Sequence, residues 1–141
     1  MAAPVRVLFV CVGNSCRSQM AEGLARHLAA DIIEPTSAGI SPLGTIADGT
    51  RKVLLERGIK MEGHSSKGAT DSGVDAVALV VNMTGIPGKA LFRAGVAIED
   101  WDIGDPYGED LAVYRRICDE IEEKVLELAG RLREIQAASP Q

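Results

Sequence analysis

A chain of 141 residues, 46% apolar and 25% charged, holds one domain with a sizeable core and is too short for two. Its net charge of −5 argues against general nucleic-acid binding, which needs a basic face, but leaves room for a local anion site made from backbone dipoles. The apolar run 7–12 is far too short to span a membrane, three cysteines are no disulfide framework, and no cysteine–histidine cluster suggests a metal. The expectation is a single cytoplasmic domain over 1–136, a monomer or weak dimer without cofactor, with a frayed tail at 137–141.

Residues 5–10 are rich in Val, Leu and Phe, the pattern of a strand buried on both faces. Residues 12–16 are a loop. Residues 17–30 read as a helix, with Met20, Ala21, Leu24 and Leu28 at helical spacing. A short second strand is expected over 32–37, interrupted by Pro35. A second helix over 47–57 is ended by Gly58. Residues 76–82 form the next buried strand and 96–101 the last. In the C-terminal helix Tyr114, Ile117, Cys118, Ile121, Val125, Leu128, Leu132 and Ile135 fall on one stripe, with charges elsewhere. Cys118 thus reads as core. Strands alternating with helices imply a parallel sheet covered on both faces, with ligands bound beyond the carboxyl ends of its strands. The loop after the first strand lies there, and so does Asp105, just after the last.

That loop, Cys11-Val12-Gly13-Asn14-Ser15-Cys16-Arg17-Ser18, carries the functional argument. Gly13 and Asn14 are the residues best able to take positive φ. In such a loop successive backbone N–H groups turn inward and form a concave anion nest, to which the following helix adds its own N–H groups and dipole. That field favours a thiolate at Cys11. Arg17 supplies a planar fork matched to two oxygens of a phosphate-like ion. Ser18 is placed to donate its hydroxyl to the Cys11 sulfur. Taken singly, Cys11 is a buried strand-end cysteine, Gly13-Asn14 a turn and Arg17 a helix start. Together, at C-x5-R spacing between a buried strand and an amphipathic helix, they point to a site. The loop is not a Walker A motif, since the glycine-lysine-serine ending is missing.

This loop, followed by Met20-Ala21-Glu22-Gly23, resembles the signature of low-molecular-weight protein tyrosine phosphatases and their relatives, the arsenate reductases. Ser37-Ala38-Gly39 and Asp105-Pro106 match two further motifs of that family. The resemblance implies an α/β fold, a single four-stranded parallel sheet flanked by helices, of the low-molecular-weight phosphatase (flavodoxin-like) type. It implies Cys11 as nucleophile, Arg17 as oxyanion clamp and Asp105 as general acid. Val12, Gly13, Asn14, Ser15, Cys16 and Ser18 would hold the phosphate, Tyr107 would flank the substrate, and Asn14 and Ser37 would hold the loop. Relatives with a cysteine at the position of Cys16 use it as a redox partner that protects the nucleophile.

The implied reaction is hydrolysis of a phosphate monoester, free or on a phosphoprotein, through a phosphocysteine. The alternative is arsenate reduction on the same cysteine. Gln19-Met20-Ala21-Glu22-Gly23 looks more like the reductases. Thioredoxin-coupled reductases, however, carry two further cysteines after the third strand, where this chain reads Asn82-Met83-Thr84-Gly85-Ile86-Pro87-Gly88; an external thiol would be needed. No tryptophan in 41–47 offers the opposite wall for an aromatic substrate. A reading from another class is a non-catalytic oxyanion-binding regulatory domain. Of the remaining residues, His64 reads as a surface histidine and His27 as one without function. Glu22 is either a solvated helix residue or a buttress beneath the loop.

Overall fold

The computed structural model describes residues 3–138. In chain order the elements are β1 (Val5–Cys11), α1 (Arg17–Leu28), β2 (Ile33–Gly39), α2 (Asp48–Glu56), α3 (Asp71–Asp75), β3 (Leu79–Asn82), α4 (Gly88–Leu91), β4 (Ile98–Asp100) and α5 (Leu111–Ala138). The four strands are parallel, in the order β2-β1-β3-β4. The chain leaves β1 for β2 on one side and then crosses back to β3 on the other. The carboxyl end of β1 is therefore the point where the winding reverses, and a crevice opens there.

Alternation along β1 divides the core. Val7, Phe9 and Cys11 belong to the larger apolar cluster, with Met20 and Leu24 of α1, Val53 and Leu54 of α2, and the buried stripe of α5. Leu8 and Val10 face a smaller cluster with Ala38, Val74 and Val80. The Phe9 ring tilts against Trp101 with centroids 5.9 Å apart. Burying a side chain of that size contributes about 1.5–3 kcal/mol.

Several boundaries differ from the sequence reading. Pro35 does not interrupt β2: it pairs in register opposite Val7 on an edge strand, where its missing N–H faces away from β1. Its outward carbonyl instead accepts from Arg26 Nη2 at 3.2 Å. β3 begins at Leu79 rather than 76 because α3 and its C-cap, Ala76, take up the chain before it. α3 and α4 were not foreseen; helices of five and four residues are too short to show a period. Ile135, at the far end of the stripe, is 62% exposed. α5 runs to Ala138, and Gln136 Nε2 donates to Ala3 O at 2.9 Å. Residues 139–141 of the expected tail lie outside the described residues. Among the described residues, no helix is long and apolar enough to cross a membrane.

Candidate active site

The loop after β1 curls because its carbonyls are pulled outward. The amides of Ile40, Ser41 and Leu43 donate to the carbonyls of Cys11, Val12 and Gly13 at 3.1, 2.8 and 3.0 Å. Thr50 Oγ1 donates to Ser15 O at 2.8 Å, and Gln19 Nε2 to Asn14 O at 3.2 Å. A peptide whose C=O points out points its N–H in, so the concave side of the loop is lined with amides. Asn14 takes φ of 48°, tolerated because its side chain bonds locally. Gly13, expected to share that role, does not: it lies against Leu43, whose Cγ would stand 3.0 Å from an added Cβ. Gly39 ends β2 against the loop itself, where a Cβ would meet Val12 O at 2.6 Å and Asn14 N at 2.8 Å. The glycine of Ser37-Ala38-Gly39 thus serves close approach.

Cys11 and Arg17 of the loop and the distant Asp105 line one cavity of about 210 Å³ with Val12, Gly13, Ser15, Cys16, Ser41, Leu43 and Tyr107. Arg17 is buried at the start of α1. Its Nη1 donates to Met83 O at 2.5 Å and Ile103 O at 3.0 Å, which anchors one end of the guanidinium to the segments that follow β3 and β4. Its Nε is buried with no hydrogen-bond partner among the described residues, and Nη2 stands 3.6 Å from Asp105 Oδ2. One edge of the fork, Nε and Nη2, is therefore free for two oxygens of an anion. An isolated buried donor is costly, and an anion in the nest would satisfy it.

Asp105 is half exposed at the rim, its Oδ1 accepting from the Tyr107 amide at 3.0 Å. Tyr107 is itself 58% exposed, and Leu43 provides the second apolar rim residue in the place where no tryptophan was found. Ser18 Oγ lies 2.9 Å from Cys11 Sγ. Cys16, buried, contacts Tyr114 Oη at 3.6 Å. Burial pushes the thiol of Cys16 up, and burial with the Cys16 contact pushes the Tyr114 phenol well above its ordinary value.

The support behind the loop is more polar than expected. Glu22 is buried: Ser37 Oγ donates to its Oε1 at 2.5 Å and Arg26 Nη2 lies 2.9 Å from its Oε2. Ser37 thus reaches Glu22, while Asn14 is held by Gln19 Nε2 and by the Lys67 amide, at 3.0 and 2.9 Å from its Oδ1. His64 is not a surface residue: its side chain is only 4% exposed, with Nδ1 3.0 Å from Gln19 Oε1. Glycines flank its segment, but the loop folds back under α1, which sequence periodicity does not register. His27 is exposed. Gln19, Leu43, Thr50 and Tyr114 were missed as site residues. Only Gln19 carried a signal, being a polar residue directly after the loop motif and before the apolar Met20 and Ala21.

A family model described as low molecular weight phosphotyrosine protein phosphatase matches residues 6–138. A glutaredoxin arsenate reductase from Synechocystis sp. is 32% identical over 131 residues, 90% of this chain and 98% of that one. A protein-arginine-phosphatase from Geobacillus stearothermophilus is 32% identical over 145 residues, covering 92% and 97%. The solved structure of the YwlE arginine phosphatase from the same organism superposes with a TM-score of 0.87 at 31% identity, over 98% of this chain and 99% of that one.

Proposed function

Because this chain belongs to the low molecular weight phosphotyrosine protein phosphatase family, we propose that its site hydrolyses phosphate monoesters through a phosphocysteine on Cys11. The observation that carries this reading is the convergence of a nucleophile, a half-free guanidinium and a rim carboxylate on one amide-lined cavity. The Cys11 thiolate attacks phosphorus while the bond to the leaving oxygen breaks. Asp105 gives that oxygen its proton. Amides 12–17 and Arg17 hold the equatorial oxygens. In the second step Asp105 takes a proton from water, the water oxygen attacks phosphorus, and the S–P bond breaks to return the thiolate. Turnover of p-nitrophenyl phosphate and of phosphotyrosine peptides tests the reading, with phosphoarginine peptides, whose bond broken is P–N, as the comparison; no release of phosphate from either ester would overturn it.

One observation favours arsenate reduction as a second reading: the similarity to the Synechocystis protein named glutaredoxin arsenate reductase. Reduction of arsenate needs two electrons, hence two thiols. The chain's cysteines are 11, 16 and 118, and burial pushes the Cys118 thiol up to about 11, away from the reactive range. Without cysteines between Asn82 and Gly88, thioredoxin with its reductase and NADPH should not sustain arsenate reduction. Glutathione with glutaredoxin is the donor pair to compare. Multiple-turnover oxidation of NADPH that depends on arsenate and thioredoxin would contradict this.

Cys16 adds a redox prediction. Peroxide converts the Cys11 thiolate to a sulfenic acid; the Cys16 thiol attacks that sulfur, a disulfide forms and water leaves. Mild peroxide should therefore inactivate reversibly, with bound phosphate slowing the loss. Cys16→Ser should keep most activity but lose it irreversibly, through further oxidation of Cys11. Peptide mapping that found Cys11 joined to Cys118, or full thiol recovery of oxidised Cys16→Ser, would show that Cys16 is only structural.

A further inference from the structure

Residues 105–114, from the rim carboxylate to the first turn of α5, fold back on themselves. Asp105 Oδ1 accepts from the Tyr107 amide at 3.0 Å. The Glu109 amide donates to Pro106 O at 2.9 Å and closes a turn over Tyr107 and Gly108. Gly108, at φ 82°, is the third residue of that turn, where positive φ is required. Asp110 Oδ1 then caps α5 by accepting the Val113 amide at 3.1 Å. The next residue, Tyr114, points back: its Oη takes the Gly108 N–H, which the turn itself leaves free. Of two neighbouring amides, that of Tyr107 holds the carboxylate and that of Gly108 is held by the phenol.

The same oxygen reaches the nest. The Cys16 thiol donates to Tyr114 Oη at 3.6 Å, and Cys16 stands directly before Arg17 at the start of α1. The ring is seated on Gly49 of α2, where a Cβ would stand 2.6 Å from its Cε2, so it has little freedom to move. By contrast, Arg17 Nη2 lies 3.6 Å from Asp105 Oδ2, too far for a hydrogen bond, and attracts the carboxylate without fixing its direction. Tyr114 is not among the residues that line the cavity. We propose that Tyr114 is a positioning residue for proton transfer: its hydroxyl bridges Cys16 of the nest and the Gly108 amide, and so sets where Asp105 stands over the bound anion. The proposal rests on the phosphatase reading with Asp105 as proton donor.

The test is a double-variant cycle read as kcat/KM, which reports the step in which the leaving oxygen departs. Tyr114→Phe keeps the ring on Gly49 and removes the oxygen. With phenyl phosphate its kcat/KM should fall about tenfold, and with p-nitrophenyl phosphate by less than about threefold. Binding of inorganic phosphate, followed by calorimetry, should stay within about twofold, because the inward amides and Arg17 are untouched. In an Asp105→Asn background the substitution should cost nothing further, since Tyr114 acts through that carboxylate. An unmoved rate with phenyl phosphate, equal losses for the two esters, weakened phosphate binding, or losses that add in the double variant would each overturn the proposal. If Tyr114→Phe fails to fold, Gly49→Ala takes its place in the cycle, since its methyl group would push the ring off its seat; the same results support or refute. Wild-type protein that releases phosphate from neither ester would instead sink the phosphatase reading, and the proposal with it.

Discussion

Serine in place of Cys11 removes turnover of p-nitrophenyl phosphate by several orders of magnitude while phosphate still binds; that is the largest effect expected of any single substitution here. The two halves of the expectation have different physical origins. Turnover needs a thiolate, and a serine hydroxyl at this position has no base beside it, since Ser18 is itself a hydroxyl at 2.9 Å. Binding needs the inward amides and the free edge of Arg17, neither of which depends on the sulfur. Calorimetry with inorganic phosphate and with vanadate separates the two. Wild-type-like turnover by Cys11→Ser would remove Cys11 from the mechanism, and loss of both turnover and binding would mean that the loop had collapsed.

Asn at position 105 should lower kcat by about 10²–10⁴-fold for phenyl phosphate, whose leaving group is a poor one. With p-nitrophenyl phosphate the loss should be smaller, because that leaving group departs without a full proton. The geometry motivates the difference. Asp105 stands half exposed at the mouth with Oδ1 held by the Tyr107 amide, which leaves Oδ2 toward Arg17 and the cavity. An amide keeps that hydrogen bond and the shape but cannot give up a proton. Equal losses for the two esters would count against a proton-donor role and leave Asp105 as a steering charge beside Arg17.

The sheet and the helices beside it were legible because β1 and α5 carry clean apolar patterns. The nest was legible because Cys11, Asn14 and Arg17 sit between them. What escaped lies in contacts that join distant segments. Nothing local in the sequence says that Met83 O and Ile103 O will hold Arg17, or that the ring of Tyr114 will lie against Gly49, where a Cβ would stand 2.6 Å from it. His64 was misplaced for the same reason. A histidine among glycine, serine and lysine has the composition of a surface loop, and only the packing of that loop against Gln19 and Glu22 buries it. Asn14 and Gly13 were rightly grouped, but the positive φ fell to the residue whose side chain could bond within the loop, leaving the glycine to admit Leu43.

The outer side of β2 has a consequence for how this chain meets its own copies. A free strand edge is a template on which another chain can extend the sheet. Here the outward groups are already taken along most of the strand. The Ile33 amide donates to Ala29 O, Pro35 has no hydrogen to offer and its carbonyl receives Arg26, and Gly39 exchanges bonds with the 67–69 segment. A neighbouring molecule arriving at this border finds few open donors with which to begin a ladder. The proline expected to interrupt the strand is one of the features that make this edge a poor template for a further strand.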